Sequence, residues 1–183
     1  MEPLSGIAPV ILGFLAWGPR SGYEIKQLVD RSTRFFWAAS YGSIYPQLRR
    51  LEEEGLVRGD DRPTGARRRT VYALTPGGRA ALEGWLRSAG SASELRDTGL
   101  LRIFFAGVLP PEEALEAVSA FGDEHERVRD ELRGVQASAR AKGGFPALVL
   151  EFGIGLHAWI VDWSRQTEER LVAAGPPRAE EAS

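Results

Sequence analysis

The chain has 183 residues, 43% of them hydrophobic, and a formal charge of -2 from 23 basic and 25 acidic side chains. That is enough apolar material for one domain or two small ones, and it excludes a chain disordered throughout. Cysteine is absent, which excludes disulfide frameworks and thiolate metal sites.

The opening Met1-Glu2-Pro3-Leu4-Ser5-Gly6 lacks the basic segment of a signal peptide. The apolar runs near Ile7 to Trp17 and Phe152 to Val161 fall short of the roughly 20 residues of a bilayer span. The expectation is a soluble, cytoplasmic protein with no membrane partner. Charge is unevenly shared: residues 1–88 carry 13 Lys plus Arg against 9 Asp plus Glu, and the remainder carries 10 against 16. A polyanion would be drawn to the N-terminal half only.

In chain order, Ile7, Val10, Ile11 and Phe14 predict an amphipathic helix from about Gly6 to Trp17, stopped by Gly18-Pro19. Ser21 can cap a second helix with Ile25, Leu28 and Val29 on its apolar side. Phe35-Phe36-Trp37 leads to a third, in which Ile44, Leu48 and Leu51 make a core stripe while Ser43, Gln47 and Arg50 recur at the same spacing on another side. Pro46 is expected in the first turn, where N–H groups lack intrahelical partners, which places the start near Gly42 or Ser43; Gly55 ends the helix.

Val57-Arg58-Gly59, a loop holding Arg62, Arg67, Arg68 and Arg69, and the strand Thr70 to Leu74 predict a basic-tipped hairpin. Gly59-Asp60-Asp61 reads as turn sequence. Thr75-Pro76 then opens a fourth helix with Leu82, Trp85 and Leu86 on one side.

Residues 89–98, small and polar, are the expected linker between a domain at 1–88 and a second at 99–173. The second domain is helical in pattern. Leu100 to Phe105 is a short apolar piece closed by Pro110-Pro111. From Ala114, Val118, Phe121, His125, Val128, Leu132 and Val135 follow the seam of a coiled coil, with His125 read as a register-setting polar residue. After Gly143-Gly144-Phe145-Pro146 a last helix runs from about Ala147 to Val172, and residues 174–183 are an expected flexible tail.

A reader helix beside a basic hairpin points to double-stranded DNA. Gln47 can pair with adenine and Arg50 with guanine, while Ser40, Tyr41, Ser43 and Tyr45 can reach phosphates or base edges. Arg62, Arg67, Arg68 and Arg69 suit phosphate or the minor groove. Alternatives stand beside these: Tyr45 packs on the hairpin, Arg50 pairs with Glu54, and Arg69 belongs to the strand. No catalytic constellation, metal cluster or cofactor loop accompanies the only histidines, His125 and His157, so the expectation is a non-enzyme without metal or cofactor. Trp159 and Trp163, one turn apart, together with Phe35 and Trp37, could line a pocket for a flat aromatic effector; packing at a core or interface is the other reading. Val118, Phe121, His125, Val128, Leu132 and Trp159 are the expected dimer contacts.

The segments Gly22-Tyr23-Glu24-Ile25, Tyr41-Gly42-Ser43-Ile44-Tyr45-Pro46, Gly55-Leu56 and Tyr72-Ala73-Leu74-Thr75-Pro76-Gly77-Gly78 resemble the PadR family of transcriptional regulators. The stretch from Leu101 to Ala114 resembles the longer C-terminal domain of its virulence-activator subgroup. The resemblance implies a mainly α chain: an N-terminal winged helix-turn-helix domain of three helices, a β-hairpin wing and a fourth helix, followed by an all-helical dimerisation domain. It also implies a homodimeric regulator, often a repressor released by a small aromatic or drug-like effector, on an inverted-repeat operator. An activator of the same fold, or a protein-docking module, is the alternative.

Overall fold

The computed structural model describes residues 4–64, 67–88 and 97–174, and the side chains of 62–68 and 174 lie outside it. The chain forms two compact units, Met1–Ser93 and Glu94–Ser183. In the first, the order is α1 (Ala8–Ala16), β1 (Arg20–Ser21), α2 (Gly22–Arg31), a 3₁₀ turn (Thr33–Phe35), α3 (Tyr41–Glu53), β2 (Val57–Thr64), β3 (Arg67–Leu74) and α4 (Pro76–Arg87). The second holds α5 (Thr98–Phe104), a 3₁₀ turn (Ala106–Val108), α6 (Pro111–Lys142) and α7 (Phe145–Ala174). This is a winged helix-turn-helix followed by a helical unit, mainly α as the sequence implies.

Ile11, Leu12, Ile25, Val29, Ile44, Leu48 and Leu51 have no exposed surface and fill the centre of the first unit. They come from three helices whose apolar spacing delivers one stripe each. Ser21 ends β1 and also caps α2, accepting the Glu24 N–H while Glu24 Oε2 accepts the Ser21 N–H at 2.9 Å. Such a reciprocal cap satisfies two backbone donors at once. β1 pairs with β3, and the antiparallel sheet runs β1-β3-β2 with Val57 opposite Leu74 and Thr64 opposite Arg67.

α3 ends at Gly55, whose φ of +71° suits a residue without Cβ; the Leu56 N–H bonds to the Leu51 carbonyl at 2.8 Å and the Gly55 N–H to that of Glu52 at 2.9 Å. The Leu56 carbonyl in turn accepts both the N–H and the hydroxyl of Thr75, at 3.1 and 3.0 Å. The ideal Cβ position on Gly78 lies 2.0 Å from that same oxygen, so α4 starts in backbone contact with the end of α3.

Several expectations are corrected. Pro46 is the sixth residue of α3, beyond the first turn. Its missing N–H would have bonded the Gly42 carbonyl, and both residues lie on the exposed side of the helix. Arg67 to Arg69 and Gly59 to Asp61 lie in paired strands instead of a loop or turn; Asp61 accepts the Thr70 hydroxyl at 2.7 Å across the ladder. Of the three apolar residues expected on one side of α4, Leu82 is buried, whereas Trp85 and Leu86 face solvent. The expected linker falls largely on 89–96, outside the described residues, and Asp97 and Thr98 belong to the next helix as its cap and first residue. The expected tail also lies outside them, apart from Ala174, which ends α7.

In the second unit α6 and α7 form an antiparallel hairpin: His125 meets His157, Glu126 meets Arg165 and Arg140 meets Glu151. The seam of α6 therefore packs on α7 of the same chain. Val118, Phe121 and Leu132, expected between two chains, are buried within this one, because a heptad stripe needs only a facing helix and α7 supplies it. Gly122 brings the helices close; a Cβ there would sit 2.9 Å from that of Ser164.

α7 also corrects the reading of its length. By length and composition alone it is apolar enough to cross a bilayer, with a window of mean hydropathy 1.4 that is only 6% buried. Length and composition do not separate a membrane span from a helix whose apolar side is covered by protein.

Candidate nucleic-acid interface

α3 is amphipathic in the way the spacing predicts. With Ile44, Leu48 and Leu51 fully buried, Tyr41, Tyr45, Arg49 and Arg50 are left exposed and Gln47 half-buried. Ser40 caps the helix by accepting the Ser43 N–H at 3.2 Å. The Ser43 hydroxyl donates to the Ser40 carbonyl at 2.9 Å and accepts the Ser40 N–H at 3.1 Å. Ser43, expected as a DNA contact, is thus held in the cap, and so is Ser40. Arg50 donates its Nε–H to Glu54 at 2.7 Å, which is the pairing the spacing also allowed.

Tyr45 is 40% exposed, with its ring over Gly22: an ideal Cβ there would lie 2.7 Å from Cε1. The glycine of the Gly22-Tyr23-Glu24-Ile25 segment therefore lets α2 approach α3. Tyr23, Tyr41 and Tyr45 stack in sequence, with centroids 6.3 and 6.2 Å apart. The Lys26 ammonium stands 5.6 Å from the Tyr41 centroid, and Gln27 donates to the Tyr23 hydroxyl at 2.9 Å. Sequence reasoning missed Tyr23, Lys26 and Gln27. Their spacing on α2 places them on one side, yet only the meeting of α2 with α3 joins that side to the reader helix.

At the wing, the register sets Arg62 opposite Arg69, Pro63 opposite Arg68 and Thr64 opposite Arg67. The side chains of Arg62, Arg67 and Arg68 lie outside the described residues. Arg69 is paired with Glu24 of α2 at 2.5 Å, so its first role is to tie wing to helix. The Arg69 guanidinium, hydrogen-bonded to Glu24, holds that carboxyl down to about 2, with help from the Ser21 N–H. A second tie joins wing to reader: Glu52 Oε1 accepts the Gly59 N–H at 2.7 Å.

The aromatic residues expected around an effector divide between the units. Phe35 is half-buried and Trp37 exposed in the first. In the second, Trp163 is half-buried with its ring edge-on to Phe121 at 6.2 Å, and Trp159 is 63% exposed. Trp159 and Trp163 thus have different surroundings. His125 and Val128 of the seam are half-buried, and His125 meets the edge of Phe121 and the Nδ1 of His157.

The fold and the two-faced α3 define a winged-helix protein of the kind that regulates transcription. Residues 11–84 match the transcriptional regulator PadR-like family, and residues 95–172 match the virulence activator alpha C-terminal family. The negative transcriptional regulator PadR of Bacillus subtilis is 30% identical over 130 residues, covering 70% of each chain. The probable transcriptional regulator Rv1176c of Mycobacterium tuberculosis is 30% identical over 169 residues, 82% of this chain and 89% of that one. B. subtilis PadR crystallised with operator DNA superposes with a TM-score of 0.84 at 25% identity, over 93% of this chain and 99% of that one. The same protein with p-coumaric acid gives 0.73 at 23% identity, over 90% and 94%. The chain belongs to the PadR-like family of transcriptional regulators.

Proposed function

We propose that this regulator binds an inverted-repeat operator as a homodimer in the cytoplasm, placing α3 of each copy in successive major grooves. It is a regulator and not an enzyme. The observation that carries the reading is α3 itself: its apolar stripe is fully buried, which fixes Gln47, Arg49 and Arg50 on the accessible side. Gln47 and Arg50 read base edges; Tyr41, Tyr45 and the stacked Tyr23 approach phosphate near the cap formed by Ser40 and Ser43. Arg62, Arg67 and Arg68 hold phosphate or enter the minor groove, while Arg69 positions the wing. The operator complex of B. subtilis PadR supports DNA as the partner of this face.

In this reading residues 1–88 bind DNA and the helical unit dimerises. The dimer contact falls on the apolar residues that the hairpin leaves exposed: Phe104 and Val108 near α5, and Phe145, Phe152 and Trp159 on α7. A small aromatic effector is the proposed signal, supported by the p-coumaric acid complex of the relative and by the half-buried Trp163 edge-on to the buried Phe121. Repression is the favoured direction, after the negative regulator to which the chain is similar. Activation is the second reading, motivated by the virulence-activator match over 95–172.

Selection from a random duplex pool tests the core of the reading. Gln47→Ala or Arg50→Ala is expected to cost about 1–3 kcal/mol at one base position of the half-site, whereas Arg67→Ala or Arg68→Ala weakens all sequences and flattens the salt dependence. Equal loss on every sequence for all four would refute the division of roles. No binding at low salt would redirect the polar side of α3 to a protein partner. Half-sites should lie about one helical turn apart. Tryptophan fluorescence titrated with aromatic acids tests the effector, which requires a change in both emission and DNA affinity.

A further inference from the structure

We propose that His125 and His157 form a proton-operated latch between α6 and α7, so that a second proton on the pair forces the two helices apart and lowers operator affinity. The loss of affinity rests on the DNA-binding reading above; the latch itself does not. The Nδ1 atoms of the two imidazoles are 2.6 Å apart and their ring centroids 4.9 Å apart, across the α6–α7 hairpin. Both rings are half-buried, and Phe121, itself buried, covers His125 edge-on at 4.4 Å.

Tautomer geometry decides what protons do here. With both rings neutral, one Nδ1–H donates to the lone pair of the other Nδ1. A first proton enters at the free Nε2 of the donor ring and leaves that bond intact, now charge-assisted. A second proton has to occupy the accepting Nδ1 itself. Two N–H groups then point at each other between two cations, and the contact cannot persist. The titration therefore belongs to the pair and proceeds in two steps, of which the second opens the latch.

The surrounding charges act on one side only. Among the described residues, Asp97 at the cap of α5 and Glu124 on α6 both favour a charged His125, and Asp97 already accepts the Leu100 N–H at 3.0 Å. On the α7 side, His157 feels the charge of His125, which opposes its own. The Glu126 carboxylate, on the next residue of α6, is taken up by Arg129 and by Arg165 of α7, at 2.9 and 3.0 Å. Burial outweighs the two anions and holds both imidazoles below the ordinary histidine value of 6.5. The contribution of the contact to stability is therefore present above that value and is lost as the second proton binds below it. The hairpin carries α7, whose exposed apolar residues are the proposed dimer contact, and dimerisation sets operator affinity.

The experiment compares the full-length wild type with His157→Gln and His125→Gln, because glutamine can pair with one imidazole but cannot become the second cation. Thermal midpoints between pH 7.5 and 5.5 are read by circular dichroism without DNA, and operator affinity is read in the same buffers. The wild-type midpoint is expected to fall by about 2–4 °C more than that of either variant. Affinity should fall with it in the wild type alone. Equal pH dependence in all three proteins overturns the latch. A latch-dependent midpoint with pH-independent affinity overturns its link to DNA. Absence of DNA binding at every pH removes the operator reading and that link, and leaves the stability comparison to decide the latch.

Discussion

Replacing Gly78 by alanine tests whether the start of α4 is locked to the end of α3. The added Cβ would lie 2.0 Å from the Leu56 carbonyl oxygen and 2.9 Å from both its carbon and Leu74 Cδ1. A carbon and a carbonyl oxygen settle no closer than about 3.3 Å, so the helix start has to retreat by more than about 1 Å. The Thr75 N–H and hydroxyl bonds to that oxygen, now 3.1 and 3.0 Å, are lost in the retreat. Each is worth about 1 kcal/mol, and partial loss of Leu82 burial adds a similar amount, while the better helix propensity of alanine returns about 1 kcal/mol. The expected net loss is about 2 kcal/mol. Gly84→Ala is the internal control: it lies in the same helix, an added Cβ meets nothing within 4 Å, and it is expected to stabilise by up to about 1 kcal/mol. Urea denaturation followed by far-ultraviolet circular dichroism measures both. If the two alanines shift the midpoint in the same direction, propensity governs α4 and the lock is refuted.

Glu24→Gln keeps the cap of α2 but removes the charge that Arg69 holds. Because the Glu24 pKa is lowered from 4.5 to about 2, its contribution is present above 4.5 and is lost as pH falls from there toward 2. The largely solvated pair should yield no more than about 1 kcal/mol, seen as a shallower acid limb in the stability profile of the variant. An unchanged limb would show that the tie between wing and α2 does not contribute. Phe152→Asp places a charge in the exposed apolar side of α7 and is expected to convert a dimer to monomers in sedimentation equilibrium, with the circular dichroism spectrum retained. A variant that remains dimeric would move the contact elsewhere.

The sequence carried the stripe of α3 plainly, since Ile44, Leu48 and Leu51 lie at helical spacing and all three are fully buried. It also carried the caps at Ser21 and Thr75, because capping is a local exchange of hydrogen bonds within three residues, whereas the cap at Ser40 was hidden behind a start expected near Gly42 or Ser43. Pro46 misled because the preference of proline for the first turn is a local tendency, which the burial of Ile44, Leu48 and Leu51 on the other side of α3 overrides. β1 was invisible: two residues carry no periodicity, and Arg20 and Ser21 become a strand only when β3 lies beside them.

The same limit applied to His125 and His157. The heptad pattern put His125 on the seam of α6 but said nothing of which residue of α7 would face it. Nor could periodicity tell a seam shared between two chains from one closed within a single chain. That distinction depends on the turn at Gly143-Gly144 folding α7 back on α6. At the proposed interface, the stacking of Tyr23 with Tyr41 joins residues from two helices, so neither segment read alone discloses it.

The Leu56 carbonyl, where the end of α3, the base of the wing and the start of α4 meet, divides the first unit into parts that can and cannot change length. An insertion between Leu51 and Val57, or between Leu74 and Gly78, would turn one of the three elements away from the others and dismantle the junction. A substitution at Gln47 or Arg49 leaves it untouched, and so does a change in the reach of the hairpin beyond the Asp61–Thr70 rung. Under the proposed reading, a chain built this way can acquire a new operator by editing surface letters and hairpin length while its frame stays constant.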